Sequence, residues 1–133
     1  MNFSKNIVLP FAELMVFEEN IICIKVTRAG EVDETMAVQL VQAVVQLANN
    51  KRHALLYDLN NQNIMLSSLA KNIAGPRSYE KDGLFARALV VYNLSNKLEM
   101  NHFLKYSKPA TPTEIFSNFT DAITWIKSIE FGA

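Results

Sequence analysis

Little in this sequence serves chemistry that depends on rare side chains. Its 133 residues include one cysteine, one tryptophan, two histidines and four glycines. The lone Cys23 cannot close an internal disulfide, which points to a reducing compartment. His53 and His102 lie far apart, with no second histidine, cysteine or acid at ligand spacing, so no metal site is expected. Glycines at 30, 75, 83 and 132 supply neither common phosphate-binding loop, and no cofactor is expected. No apolar run approaches the roughly 20 residues of a membrane span, so the chain is not expected to cross one. Pro10, Glu13 and Glu18 interrupt what would otherwise resemble a signal segment. Charge of one sign is also missing. Thirteen basic residues meet 13 acidic ones, leaving no excess to neutralise a phosphate backbone. Nucleic acid is therefore excluded as an expected partner. Asn93-Leu94-Ser95 and Asn118-Phe119-Thr120 match the glycosylation pattern, which without a secretion signal reads as chance. A cytoplasmic protein is the expectation.

What is present is apolar material in regular patterns. Half of the chain is hydrophobic, enough to bury a continuous core in one domain over residues 1–133. No repeat, low-complexity segment or linker divides it. Residues 13–18 and 21–26 read as an antiparallel hairpin with Asn20 in its turn. Ile22, Ile24 and Val26 share one face, Cys23 and Lys25 the other. Whether residues 6–9 add an edge strand before Pro10 stays open. Asp33 is placed to cap a helix over 34–49. Its stripe is Ala37, Leu40, Val41, Val44, Val45 and Ala48. Gln39, Gln42 and Gln46 form an uncharged opposite face, ordinarily solvated and less often the seam of a homodimer. Lys51 and Arg52 suit the negative end of that helix.

Strand, polar loop and helix then alternate. Residues 54–59 form a nearly all-apolar strand, as expected when both faces are covered in a parallel sheet. Asn60, Asn61, Gln62 and Asn63 follow as an uncharged loop, and Ser67 or Ser68 can cap a helix over 67–74 that Gly75-Pro76 ends. Residues 86–92 are a second buried strand. Asn96 and Glu99 have capping-box spacing for a helix over 96–107. A short strand at 113–116 precedes a helix over 119–129 that Asn118 caps. This order requires crossovers onto a mixed, mostly parallel α/β sheet of about five strands with four main helices.

The hairpin MVFEENIICIKV, the strands LLYDL and ARALVVY, and the tail KPATPTEIFSNFTDAITWIKSI resemble a bacterial member of the SpoIIAA-like superfold. In the tail, the proline-bracketed loop, Phe116, Ala122 and Trp125 carry the likeness, which covers most of residues 12–130. That superfold includes the STAS domains of anti-sigma-factor antagonists and sulphate transporters. The narrower resemblance is to a small group sharing the fold with CRAL-TRIO lipid-binding domains. The resemblance implies a SpoIIAA-like (STAS-type) domain and a regulatory role through a protein partner. Anti-sigma-factor antagonists carry an Asp-Ser-Ser-Gly-type motif whose serine is phosphorylated. Here the corresponding residues are Leu66-Ser67-Ser68-Leu69, which keep the serines without the aspartate and glycine.

Two functions are carried forward. One is a non-catalytic regulatory protein-interaction module. The other is a carrier of a small apolar ligand or lipid, for which Met65, Met100, Phe103, Tyr106 and Trp125 are candidate lining and otherwise simply core. An enzyme is the weakest reading. Ser67, His102 and Asp58 can be assembled on paper, but no glycine-flanked nucleophile elbow supports them. The binding edge is expected at residues 58–69, above the C-terminal ends of the two buried strands. It comprises Asp58, Asn60, Asn61, Asn63, Ser67 and Ser68, joined by Asn93 and Ser95.

Overall fold

The computed structural model describes residues 3–67, 83–107 and 111–132, with the side chains of 3–5 and 106–107 left aside. The helix expected over 67–74 lies outside the described residues except for Ser67. Alternation of apolar side chains sets the frame. The strands β1 (Phe3–Leu9), β2 (Ala12–Phe17) and β3 (Ile21–Val26) form an antiparallel meander. β5 (His53–Asp58), β7 (Leu84–Val90) and β8 (Thr113–Phe116) then add in parallel. The sheet has six strands in the order β1-β2-β3-β5-β7-β8, one more than the sequence suggests. The extra strand is β1. Pro10 falls in the turn after it, where a missing N–H costs nothing.

A second, smaller sheet was not expected. β4 (Gly30–Val32) pairs in parallel with β6 (Ile64–Leu66). Residues 64–66 were expected to lie between the polar loop and the start of a helix; instead the chain stays extended through Leu66. Ser67 follows with its N–H donated to the Val32 carbonyl at 3.1 Å.

Three helices cover the large sheet among the described residues: α1 (Glu34–Ala48), α2 (Leu94–Ser107) and α3 (Phe119–Gly132). Because successive strand residues point to opposite faces, each helix meets a defined set. α1 lays Leu40, Ala43, Val44 and Ala48 on Leu14, Val16, Ile22, Ile24 and Leu55. α2 covers the same face further along, with Met100 against Leu59, Ile64, Leu89 and Val91. α3 takes the opposite face, with Ala122 and Ile126 on Cys23, Ala54, Leu56, Ala86, Ala88 and Val90.

Local signals fix the helix ends. Asp33 caps α1, its carboxylate accepting from the Met36 N–H at 2.9 Å. Asn49 closes it in the left-handed conformation at φ 49°, which asparagine tolerates better than most residues. Lys51 and Arg52 therefore lie beyond the last turn rather than on it, and Arg52 stacks 4.3 Å over the Phe85 ring. Asn118 caps α3, accepting from the Asp121 N–H at 2.8 Å. The turn between β2 and β3 puts Glu18 and Glu19, not Asn20, at positive φ. Asn20 instead binds Glu130 through its side chain, and Glu18 pairs with Lys127 at 2.6 Å, so α3 holds the turn.

The α1 stripe differs from expectation in one position. Ala43 and Val45 stand about 100° to either side of Val44 on a helix, and periodicity does not choose between them. Packing does, burying Ala43 and leaving Val45 45% exposed. Val44→Asp is therefore expected to cost about 3–4 kcal/mol, because it buries an unpaired charge. Val45→Asp should change stability by about 0.5 kcal/mol or less. Chemical denaturation of the two variants checks the pair; equal losses contradict the orientation of α1.

Candidate functional site

The chain leaving β5 is shaped by its own side chains. Asp58 accepts a hydrogen bond from the Asn60 N–H at 2.8 Å, an Asx-type turn. Asn60 and Asn61 both adopt positive φ, 49° and 56°, where asparagine is among the least strained non-glycine residues. The Asn60 side chain donates to the Val26 carbonyl at 3.3 Å, tying the loop to the end of β3. Asn63 is exposed, and its carbonyl accepts from Gly30 at 2.9 Å, opening the β4–β6 pair.

α2 holds the loop from the other side. Asn93 is its cap, accepting from the Asn96 N–H at 2.8 Å while its amide donates to Asn61 at 2.8 Å. Asn96 is fully buried; it accepts from the Ile64 N–H at 3.2 Å and donates to the Gln62 carbonyl at 2.8 Å. Glu99 accepts from the Leu66 N–H at 2.8 Å. The expected capping box at Asn96 and Glu99 is thus displaced. The cap lies three residues earlier, and those two side chains reach across to bind the loop. Asparagine at 93 and 96 followed by glutamate at 99 gives two candidate caps at the same spacing, so a three-residue slip is invisible in sequence.

Of the expected binding residues, Asp58 bonds Asn60 and Asn61 bonds Asn93, while Asn63 bonds Gly30 through its carbonyl. Ser95 is exposed in the first turn of α2, and Ser67 lies just past β6. Ser68 lies outside the described residues. Sequence reasoning missed Tyr92 and read Asn96 and Glu99 only as a helix cap. Tyr92 hydrogen-bonds Asp58, and burial together with the Asp58 charge pushes its phenol up to about 12. Burial, with a smaller push from Asp58, raises the Cys23 thiol to about 12 as well, so this cysteine stays protonated and unreactive.

Two kinds of surface adjoin this edge. Outside it, Met65, Tyr92, Leu94 and Leu98 are exposed by 65%, 46%, 68% and 60%. Beneath it, between α1, α2 and the large sheet, is a cavity of about 70 Å³ walled almost entirely by apolar residues. Of the lining residues expected for a ligand, Met100 and Phe103 face this cavity. Met65 points outward instead, because the alternation along β6 turns Ile64 and Leu66 inward. Trp125 is on the other face of the sheet, 5.5 Å from Phe116. The Tyr106 side chain is outside the described ones. No group of metal-ligating side chains occurs among the described residues, and no described helix is long and apolar enough to cross a membrane.

The α/β sheet, parallel after an antiparallel opening, has a SpoIIAA-like fold. The chain belongs to a family described as a domain of unknown function, DUF7793, whose profile matches residues 15–130. A crystal structure from Shewanella loihica PV-4 is similar in fold. It is described as an uncharacterized protein from the DUF3478 family with a SpoIIAA-like fold. The two share 13% identity at a TM-score of 0.58, over 94% of this chain and 98% of that one. The search of curated proteins found no match.

Two outcomes follow from the geometry. Asn96→Ala leaves the Ile64 N–H and the Gln62 carbonyl without their partner and is expected to cost about 2–3 kcal/mol. Hydrogen exchange at Ile64 should rise with it; unchanged protection there contradicts the clamp. Asp58→Asn should return the Tyr92 titration from about 12 toward 10, followed by NMR of the phenol ring. Because folding raises this pKa, the stabilisation it reports is fully present below pH 10 and is lost as pH rises through about 12.

Proposed function

We propose that this domain is a non-catalytic interaction module that binds a regulatory protein partner through residues 58–67 and the opening turns of α2. One observation carries the reading. The loop is locked from beneath by Asn96 and Glu99, while Asn61, Asn63 and the apolar Met65, Tyr92, Leu94 and Leu98 are exposed around it. A preordered polar edge with a rim of large apolar side chains loses little conformational entropy on binding. It also has the composition of protein contact surfaces, where aromatic residues and methionine are enriched. The loop carries no lysine or arginine, which suits a neutral polar surface better than a phosphate. By the resemblance of the sequence, Ser67 and Ser68 correspond to the serines of anti-sigma-factor antagonists, without that motif's aspartate and glycine. The partner is therefore proposed to read the loop itself rather than a phosphoserine.

The cavity under the same edge favours a second reading, the binding of a small apolar ligand. At about 70 Å³ it is smaller than the roughly 150 Å³ that accepts a benzene ring. A lipid-sized occupant would need α1 and α2 to separate.

The first reading is tested with a photo-crosslinking residue at Leu94 in the native host, and at Val8 as a control on the far edge of the sheet. The expected outcome is a discrete heavier adduct from position 94 alone, lost when Asn61 and Asn63 are both alanine in an equally stable variant. Adducts identical at both positions, or none at either, overturn it.

A further inference from the structure

The outer face of α1 carries no charge. From Thr35 to Asn50 the chain has neither an acid nor a base, although one side of the helix meets solvent. The other described helices differ: α2 includes Lys97, Glu99 and Lys105, and α3 includes Asp121, Lys127 and Glu130. Along α1, Thr35, Val38, Gln42, Val45 and Asn49 are all exposed and follow one another at intervals of three and four residues. That spacing averages the 3.5-residue period of a seam between two helices. Valine is a poor choice for a solvated helix position, because its branched Cβ loses χ1 freedom there. Contact with another surface gives Val38 and Val45 a reason that helix formation does not. The charges stand at the two ends. Asp33 and Glu34 lie at the start of the stripe and Lys51 and Arg52 beyond its finish, all four exposed.

We propose that this face is the interface of a reversible homodimer in which two α1 helices pack antiparallel about a two-fold axis. The ends decide both the occupant and its direction. A second copy laid antiparallel brings Asp33 and Glu34 of each molecule near Lys51 and Arg52 of the other. A parallel copy would set acid against acid and base against base. The centre is self-complementary as well. With the axis beside the turn from Gln42 to Val45, Gln42 of each copy lies against Val45 of the other, and Val38 against Asn49. An uncharged stripe meets its own image without like-charge repulsion, and such an isologous contact closes at two copies. Size sets its strength. α1 has 15 residues, about 22 Å of helix, and a strip of that length roughly 10 Å wide falls well short of the ~800 Å² per partner of a standard interface. The dimer is therefore weak, with a dissociation constant of about 10 µM or above. The proposal does not rest on the partner surface at residues 58–67, none of which it uses.

The test is sedimentation equilibrium of the full chain over a range from roughly 5 to 500 µM, which brackets that constant. The average mass is expected to rise from 15.0 kDa toward twice that value. Val45→Asp should weaken association by about tenfold or more and leave the circular dichroism spectrum unchanged. Where that variant does not fold, Gln42→Glu on the same stripe takes its place. Lys51→Glu alone should weaken the dimer severalfold, and adding Glu34→Lys should recover most of the loss, because the swap restores opposite charges across the interface. Leu98→Asp, on α2, is the control and should change nothing. A mass of 15.0 kDa at every concentration, a dimer that Val45→Asp leaves intact, or one that Leu98→Asp dissociates overturns the α1 interface. Growth beyond two copies overturns the two-fold arrangement, and a charge swap that recovers nothing overturns the antiparallel one.

Discussion

Side-chain size differs between the two faces of the central strands, and the arrangement of the helices depends on that difference. Toward α3 the sheet presents Ala54, Ala86 and Ala88, and α3 answers with Ala122. Four alanines let the helix backbone come close to the strands, and Phe17 and Phe119 close the end with an edge-to-face contact at 5.7 Å. Toward α1 and α2 the same strands present Leu55, Tyr57, Arg87 and Leu89. These side chains reach further, and α1 and α2 rest on opposite flanks of them. The space left at the seam is the cavity. One face is thus filled by close backbone approach and the other by large side chains with a gap, although both come from a single alternating pattern.

The polar edge depends on a different constraint, the satisfaction of buried backbone groups. β6 has one strand partner, β4, and much of its remaining hydrogen bonding is supplied by side chains. Asn96 and Glu99 provide it from α2, more than 30 residues further along the chain. The cost of leaving the Ile64 and Leu66 N–H groups unbonded couples the loop to that helix. Asp58 and Asn93 complete the frame at the two ends. The edge is consequently rigid through polar contacts, while the core beneath it is held by apolar packing.

These two constraints were not equally legible in the sequence. The strands β5 and β7 are mainly apolar runs and β-branched residues crowd β3, so the hairpin and the two buried strands could be read from the residues. The SpoIIAA-like sheet came from the resemblance of those segments to that superfold. The caps Asp33 and Asn118 were equally plain. The three-residue strands β4 and β6 were not, because Gly-Glu-Val and Ile-Met-Leu carry no period and become strands only through distant partners. The loop residues from Asp58 to Asn63 stood out as a cluster of turn formers. Asn96 and Glu99 were noticed for the wrong reason, since capping and cross-loop bonding ask for the same side chains. Arg87 gave no signal at all. Inside Phe-Ala-Arg-Ala-Leu-Val-Val-Tyr it looks like one polar interruption of a strand, and its burial depends on which face the pleat assigns it.

The two margins of the large sheet have a consequence for how molecules of this kind meet. β1 forms one margin, and its pairing with β2 is irregular between Ser4 and Asn6, where an extra residue interrupts the ladder. β8 forms the other and is only four residues long. A bulge and a short strand both spoil the template on which another chain could lay a strand of its own. Neither margin offers a long, regular row of backbone groups for continuing the sheet from one molecule to the next. Protection against runaway β-association is thus built into the ends of the sheet.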